Sequence, residues 1–297
     1  MANAFSFVNV VKTFPNFKLG PLSLELQPGT VLGYVGPNGA GKTTTMHCLV
    51  GLLKADSGEM FVFDRRNDPN KPEWKLDIGY VGDVHVFYEN WTGRQNLNFL
   101  SQFYPNWSQQ RAIDLANRFE VDLNKKAKAL SSGNRVKLSL ISAFAHSPRL
   151  LVLDEPTAGL DPVVRTEVLD CLFEVMENEE SAIFYSTHIL SDISRLADDL
   201  AFINDGKLLL RTPKEFLTDQ WRKITFRHEQ QDFIIGEFES HKAKGNAHQI
   251  ISTDYETRLQ ELKGLQAENI QVNRMTIEEI AVEILKGVKN NGRNNHS

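Results

Sequence analysis

Apolar and polar residues alternate along 4–14 and 22–27, the period-two pattern of strands with one buried face. Residues 30–35 form a short apolar run leading into the glycine-rich GPNGAGKTT, and a helical stretch follows over 43–53. Short strands are predicted at 59–63 and 77–81. From about 92 to 147 the period lengthens to that of helices, including 109–119 and 131–145. Strands return at 150–153 and 182–185, with a helical stretch over 163–177 between them. Strands alternating with helices predict an α/β domain with a mainly parallel sheet, in which 92–147 is a helical insertion.

Beyond residue 212 the texture changes. Strands are predicted at 224–227, 233–238 and 249–252, and a helix at 255–262. The last helix is the best specified. Thr276 and Glu279 fit a capping box, and Ile277, Ile280, Ala281, Ile284 and Leu285 make one apolar face. The closing KNNGRNNHS is polar and expected to be unfolded. The expected division is a domain over 1–222, a small C-terminal α/β unit over 223–288 and a tail over 289–297.

Composition narrows the function more than the fold. Apolar residues make up 41% and charged residues 24% of the 297, an ordinary globular balance. The net charge of -5 lacks the basic footprint of a nucleic-acid binder, so no nucleic-acid partner is expected. Two cysteines, Cys48 and Cys171, are too few for a disulfide framework and suit a reducing compartment. No apolar stretch approaches the roughly 20 residues of a spanning helix. The first residues, MANAFSFVNV, show no charged segment followed by an apolar run, so no signal peptide is expected. A role at a membrane therefore has to come through a partner.

Gly36, Pro37, Asn38, Gly39, Ala40, Gly41, Lys42 and Thr43, with Thr44 next, match G-x-x-x-x-G-K-[ST] between an apolar strand and a helix. Glycines let successive backbone N–H groups face phosphate oxygens, and the helix start adds its positive end. Lys42 supplies a charge for the β- and γ-phosphates, and the Thr43 hydroxyl suits Mg²⁺. A glycine-rich turn alone would not need that strand and helix on either side. Downstream, LLVLDE ends an apolar strand in Asp154 and Glu155, suited to hold the Mg²⁺ shell and to polarise a water. Leu130-Ser131-Ser132-Gly133-Asn134 opens a helix before it, Ala158-Gly159-Leu160-Asp161 follows, and Ser186-Thr187-His188 ends the next strand.

That order resembles the ABC ATPase family over about residues 3–222: Walker A, Q-loop, signature, Walker B with its catalytic glutamate, D-loop and H-loop. The resemblance implies a P-loop NTPase core with a mainly parallel sheet, an antiparallel β subdomain and a helical subdomain. It implies ATP and Mg²⁺ as ligands and a head-to-tail dimer enclosing two nucleotides. In that dimer Ser131 and Gly133 bind the γ-phosphate held by the opposite subunit, His188 contacts the γ-phosphate, and Asp161 links the two sites. Phe14, at the end of the first strand, matches the aromatic that stacks on adenine, although a strand-end phenylalanine beside Phe17 is an open alternative.

Two departures stand out. The Q-loop, close to Y-x-P-Q in the family, reads Tyr80-Val81-Gly82-Asp83, and the signature reads LSSGN. An ionised aspartate only accepts hydrogen bonds, whereas glutamine also donates. Asp83 is therefore expected to act through the metal or its water shell, or else to cap the loop. The resemblance implies a motor at the cytoplasmic face of a membrane, working on a separate transmembrane permease with a second ATPase subunit, identical or related. The C-terminal extension resembles that of ATPases serving ABC-2-type exporters. A soluble ABC protein acting on ribosomes or DNA, and a nucleotide sensor without turnover, are the other readings.

Overall fold

The computed structural model describes residues 2–82, 87–229 and 232–291. An antiparallel sheet opens the chain. It contains β1 (Phe5–Phe14), β2 (Phe17–Leu26), β4 (Ser57–Val62) and β5 (Arg65–Arg66), in the order β2-β1-β4-β5. The second sheet holds β3 (Val31–Val35), β6 (Ile78–Val81), β7 (Leu150–Asp154), β8 (Ala182–Ser186), β9 (Asp199–Asn204) and β10 (Lys207–Pro213). Its order is β10-β9-β3-β8-β7-β6, parallel throughout except for the antiparallel β9–β10 hairpin. Helix α1 (Lys42–Leu49) follows β3. Helices α2 (Gly93–Leu100), α3 (Gln109–Arg118) and α4 (Ser132–Phe144) form the inserted block between β6 and β7. Helices α5 (Pro162–Met176) and α6 (Leu190–Leu196) flank β8 in sequence.

Alternation along the strands of the second sheet sorts its side chains into two cores. Leu32, Tyr34, Val152, Phe184 and Ile203 face the antiparallel sheet and α1. Val31, Leu151, Leu153, Ile183, Tyr185 and Phe202 face a second core containing buried residues of α4, α5 and α6. A strand buried on both faces reads as a continuous apolar run, as LLVLD does in β7. Phe184 is fully buried, with its ring 4.9 Å from Phe5 and 5.1 Å from Tyr34. Truncating such a residue to alanine costs about 3–5 kcal/mol.

After α7 (Lys214–Gln220) come β11 (Arg222–Arg227), β12 (Ser240–Lys244), β13 (Ala247–Ser252), α8 (Tyr255–Gly264), β14 (Glu268–Arg274) and α9 (Ile277–Asn291). The four strands make an antiparallel sheet in the order β12-β13-β11-β14. The capping box of α9 forms: Glu279 N donates to Thr276 Oγ1, and Thr276 N donates to Glu279 Oε2. Ile277, Ile280, Ala281 and Ile284 are buried in the same core as β9 and α6, so the last helix returns to the ATPase half of the chain. Of the expected tail, residues 289–291 close α9, and 292–297 lie outside the described residues.

One strand expectation is corrected. Residues 233–236 alternate in burial, yet 232–236 carry no regular structure and 237–238 lie in a turn. Gly236 bends the segment, its N–H bonded to Glu239 Oε2, and Phe238 has φ 62°, which ends any extended run. Phe233 packs into the C-terminal core instead. One edge strand of the sheet is β12, a polar stretch with weak strand character in its sequence.

Candidate functional site

Strand β3 is buried at all five positions and delivers the chain to a glycine-rich turn and α1. Two glycines are required by geometry. A Cβ on Gly36 would stand 2.4 Å from Ile203 O, and Gly41, at φ 110°, occupies the N-cap position of α1. Gly206 N donates to Ala40 O (2.9 Å), which latches the β9–β10 turn onto the loop. Lys42 is 7% exposed; its Nζ donates to Gly36 O (2.8 Å) and Pro37 O (3.3 Å) and stands 4.0 Å from Glu155 Oε1. Burial pulls the Lys42 ammonium below its ordinary pKa, while Glu155 and Asp154 pull the other way. Thr43 and Thr44 line the same cleft, which has a volume of about 760 Å³.

The end of β7 forms the facing wall. Asp154 is 1% exposed, and its Oδ1 accepts from Ser186 Oγ. Its Oδ2 is buried with no hydrogen-bond partner among the described residues. A buried carboxylate oxygen left without a donor, in a cleft that Thr43 also lines, suits a hard cation taking oxygen ligands. Among the described residues no cluster of three His, Cys, Asp or Glu could hold a metal ion by itself. Glu155 sits at φ 53° with its N–H held by Ser186 O (3.0 Å). For a non-glycine residue that backbone is uncommon, and it marks an imposed position. His188 meets Glu155 Oε2 through Nδ1 (2.8 Å) and through its backbone N–H (3.2 Å).

Phe14 also lines the cleft, 38% exposed, with its ring 6.2 Å from that of Phe17. Seven expected residues do not line it: Gly36, Pro37 and Ala40 of the loop itself, His188, and Ser131, Gly133 and Asp161. Ser131 is exposed and caps α4, accepting from Asn134 N (3.2 Å), and Gly133 lies next to Leu160. Asp161 is exposed and caps α5, its Oδ1 accepting from Val163 N and Val164 N, both at 3.1 Å. Asp83 lies outside the described residues.

Sequence reasoning missed four contributors. Asn16, Phe17 and Asp205 line the cleft. The Asp205-Gly206 pair is a turn signal that could have been noticed, but its contact with the phosphate loop is a tertiary fact. Asp192 is the fourth. Buried at 1% exposure, it accepts from Thr157 Oγ1 (2.6 Å), Tyr185 OH (3.1 Å) and Arg165 Nε (2.6 Å). It thereby ties the segment after Glu155 to the helix after His188.

A glycine-rich loop at a strand-to-helix turn, opposed by a strand-end carboxylate pair, defines a P-loop ATPase. A family model described as "ABC transporter" matches residues 19–158. ABC transporter ATP-binding protein YtrB of Bacillus subtilis (strain 168) is 34% identical over 209 residues, 70% of this chain and 71% of its own. Bacitracin transport ATP-binding protein BcrA of Bacillus licheniformis is 36% identical over 225 residues, 74% of this chain and 73% of its own. Among solved structures, the ATP-binding subunit of an ABC transporter superposes with a TM-score of 0.67 at 24% identity, covering 73% of this chain and 92% of that one. A dimeric ATP-binding cassette in a post-hydrolysis state, with ADP and phosphate bound, gives 0.64 at 21% identity, covering 70% and 98%. The chain belongs to the ABC transporter ATP-binding family, and it binds and hydrolyses ATP as a subunit of an ABC transporter.

Proposed function

We propose that ATP bound in this cleft is enclosed between two ATPase subunits, and that its hydrolysis drives a separate transmembrane permease subunit in the direction of export. The observation that carries the reading is a cleft complete on one side only. Lys42, Thr43, Asp154, Glu155 and Phe14 line it, whereas Ser131 and Gly133 do not. An anion site at the start of α4 that cannot serve its own loop suits the nucleotide of a second subunit. The dimeric cassette supports the arrangement, and a relative named for fluoroquinolone export, 32% identical, supports the direction. Residues 1–222 would act as the motor, with 223–288 as its accessory unit.

The roles are those the family resemblance implies, and each suits the residue's chemistry. Phe14 stacks on adenine, and the amides of Gly36 to Thr44 wrap the phosphates with Lys42 as the point charge. Thr43 and Asp154 would hold Mg²⁺, which would supply charge neutralisation for the β- and γ-phosphates, and Asp83 would act through its water shell. Glu155 takes a proton from water as the water oxygen bonds to the γ-phosphorus and the bond to ADP breaks. His188 holds Glu155 Oε2 and faces the γ-phosphate. Asp161 sits at the junction between the two sites.

Docking to the permease has a candidate surface. Tyr88, Trp91 and Phe103 are 53%, 38% and 57% exposed, and with Phe99 they form a chain of rings 4.4–5.7 Å apart. Contiguous exposed aromatics mark interaction sites. Among the described residues no helix is long and apolar enough to cross a membrane, so attachment at the cytoplasmic face runs through the partner. Glu155→Gln tests the reading. The variant should bind MgATP, lose turnover and accumulate as an ATP-bound dimer in sedimentation. Normal hydrolysis by Glu155→Gln would remove the reading.

A further inference from the structure

The two edges of the C-terminal sheet differ in what a second copy would meet there. Strand β12 is one edge, with Lys242 at its centre and Lys244 at its end, both exposed. Pairing β12 with its own copy would set Lys242 against Lys242, and a lysine on an edge is a standard block to such pairing. Strand β14, the other edge, lacks that block. Six of its seven residues are exposed, including Val272 at 38%. Among the described residues its backbone bonds run only to β11, and its Glu268, Asn269, Gln271, Asn273 and Arg274 side chains make no hydrogen bond or ion pair.

The sequence of that strand, ENIQVNR, is complementary to itself when reversed. Antiparallel pairing centred on Gln271 sets Gln271 against Gln271, Ile270 against Val272, Asn269 against Asn273, and Glu268 against Arg274. Amide meets amide, branched apolar meets branched apolar, and opposite charges close both ends, the combinations that stabilise cross-strand pairs. Asn269, at φ 54°, kinks the start of the strand, so the register rests on Ile270, Gln271 and Val272, with Glu268 and Arg274 reaching each other on long side chains. An interface in which residue i meets j and j meets i is what a two-fold dimer requires.

We infer that β14 is a homotypic interface, through which two copies of this chain pair antiparallel about Gln271 and join their four-stranded sheets edge to edge. This deepens the reading that the protein works with a second ATPase subunit, by making that subunit a copy of this chain. It rests on that reading for its purpose and on β14 alone for its geometry. One strand pair is small beside the roughly 1,200–2,000 Å² of a stable interface. The contact is therefore weak by itself and holds partners that ATP or the permease has brought together.

The test is oxidative cross-linking of the full chain without nucleotide. Cys48 and Cys171 are buried, and burial pushes their thiols up to about 11 and about 12, so neither competes. Directly opposed residues in such a ladder have Cα atoms about 4.5–5.5 Å apart, within disulfide reach. Gln271→Cys should give a covalent dimer of this chain. Arg274→Cys alone should not, because the two copies of position 274 are about 20 Å apart in this register. Ile270→Cys mixed with Val272→Cys should link, with ATP affinity reporting that each variant is folded. A folded Gln271→Cys protein that stays monomeric on oxidation overturns the interface. So does Arg274→Cys linking to itself as readily, or Gln271→Cys capturing a different polypeptide in membranes instead of its copy. Loss of the ATP-bound Glu155→Gln dimer, with this cross-link intact, would count against the ATP site alone.

Discussion

The nucleotide cleft and the C-terminal sheet treat buried polar groups in opposite ways. In the cleft, Asp154 Oδ2 has no partner among the described residues, Lys42 is nearly buried against carbonyl oxygens, and Glu155 is held at positive φ. In the C-terminal unit the buried groups are satisfied. Glu239 accepts from Gly236 N, Ser252 Oγ, Thr253 N and Arg258, and His248 sits between His241 and the carbonyl of His228. Unsatisfied groups cost stability, and they persist where a ligand completes them. The difference separates a site built for a ligand from a unit built to hold its shape, with β14 left as an open edge.

If that contrast is right, the two regions break independently. Glu239→Ala should have the largest effect on stability. It leaves Arg258, 12% exposed, paired with the exposed Glu261 alone, and breaking a buried pair costs about 3–5 kcal/mol. Chemical denaturation would measure this, and ATP affinity should not change in the folded fraction. The same residue gives a pH signature. Burial raises the Glu239 carboxyl, but the Gly236 N–H, the Ser252 hydroxyl, Arg258 and the Thr253 N–H outweigh it, so its folded pKa lies below the usual carboxylate range. Its stabilisation is present above about pH 4.3, the unfolded value, and disappears as pH falls through the lower folded one. Glu239→Gln should flatten that acid limb of a stability profile.

Lys42→Ala should act on the other side of the contrast. Charge-assisted bonds contribute about 1.5–3 kcal/mol each, so loss of two gives at least about a hundredfold weaker MgATP binding by calorimetry, with the C-terminal unit unaffected. Phe14→Ala should cost about 1–3 kcal/mol of affinity through lost stacking, shared by other purine triphosphates. Unchanged affinity would return Phe14 to the role of a strand-end hydrophobe. The smallest effect is expected of Asp83→Ala. It should raise the Mg²⁺ concentration for half-maximal turnover while leaving metal-free nucleotide affinity nearly unchanged. A wild-type Mg²⁺ dependence would leave Asp83 the capping role.

The cleft was legible in the sequence because its chemistry is local: GPNGAGKT and LLVLDE each carry the loop or strand end that aims their own side chains. The apolar runs of β3, β7 and β8 were legible for the same reason, since burial on both faces removes every polar position. Asp192 and Asp205 were not, because their importance comes from what folds against them. Alternation misled at 233–238, where Gly236 and a positive φ at Phe238 defeat a period-two pattern that is real in burial over 233–236. Strands β12 and β14 escaped notice because edge strands are polar on both faces and lack the pattern a buried strand shows.

The central claim is that each subunit holds ATP in its own cleft and closes on the nucleotide of the other through Ser131. Adding Ser131→Arg to Glu155→Gln tests it most directly, with ATP affinity and sedimentation measured on the same protein. Ser131 stands outside its own cleft, so the double variant should bind ATP as tightly as Glu155→Gln and fail to form the ATP-bound dimer. Weakened binding by the isolated subunit, or an undiminished ATP-bound dimer, would contradict the account.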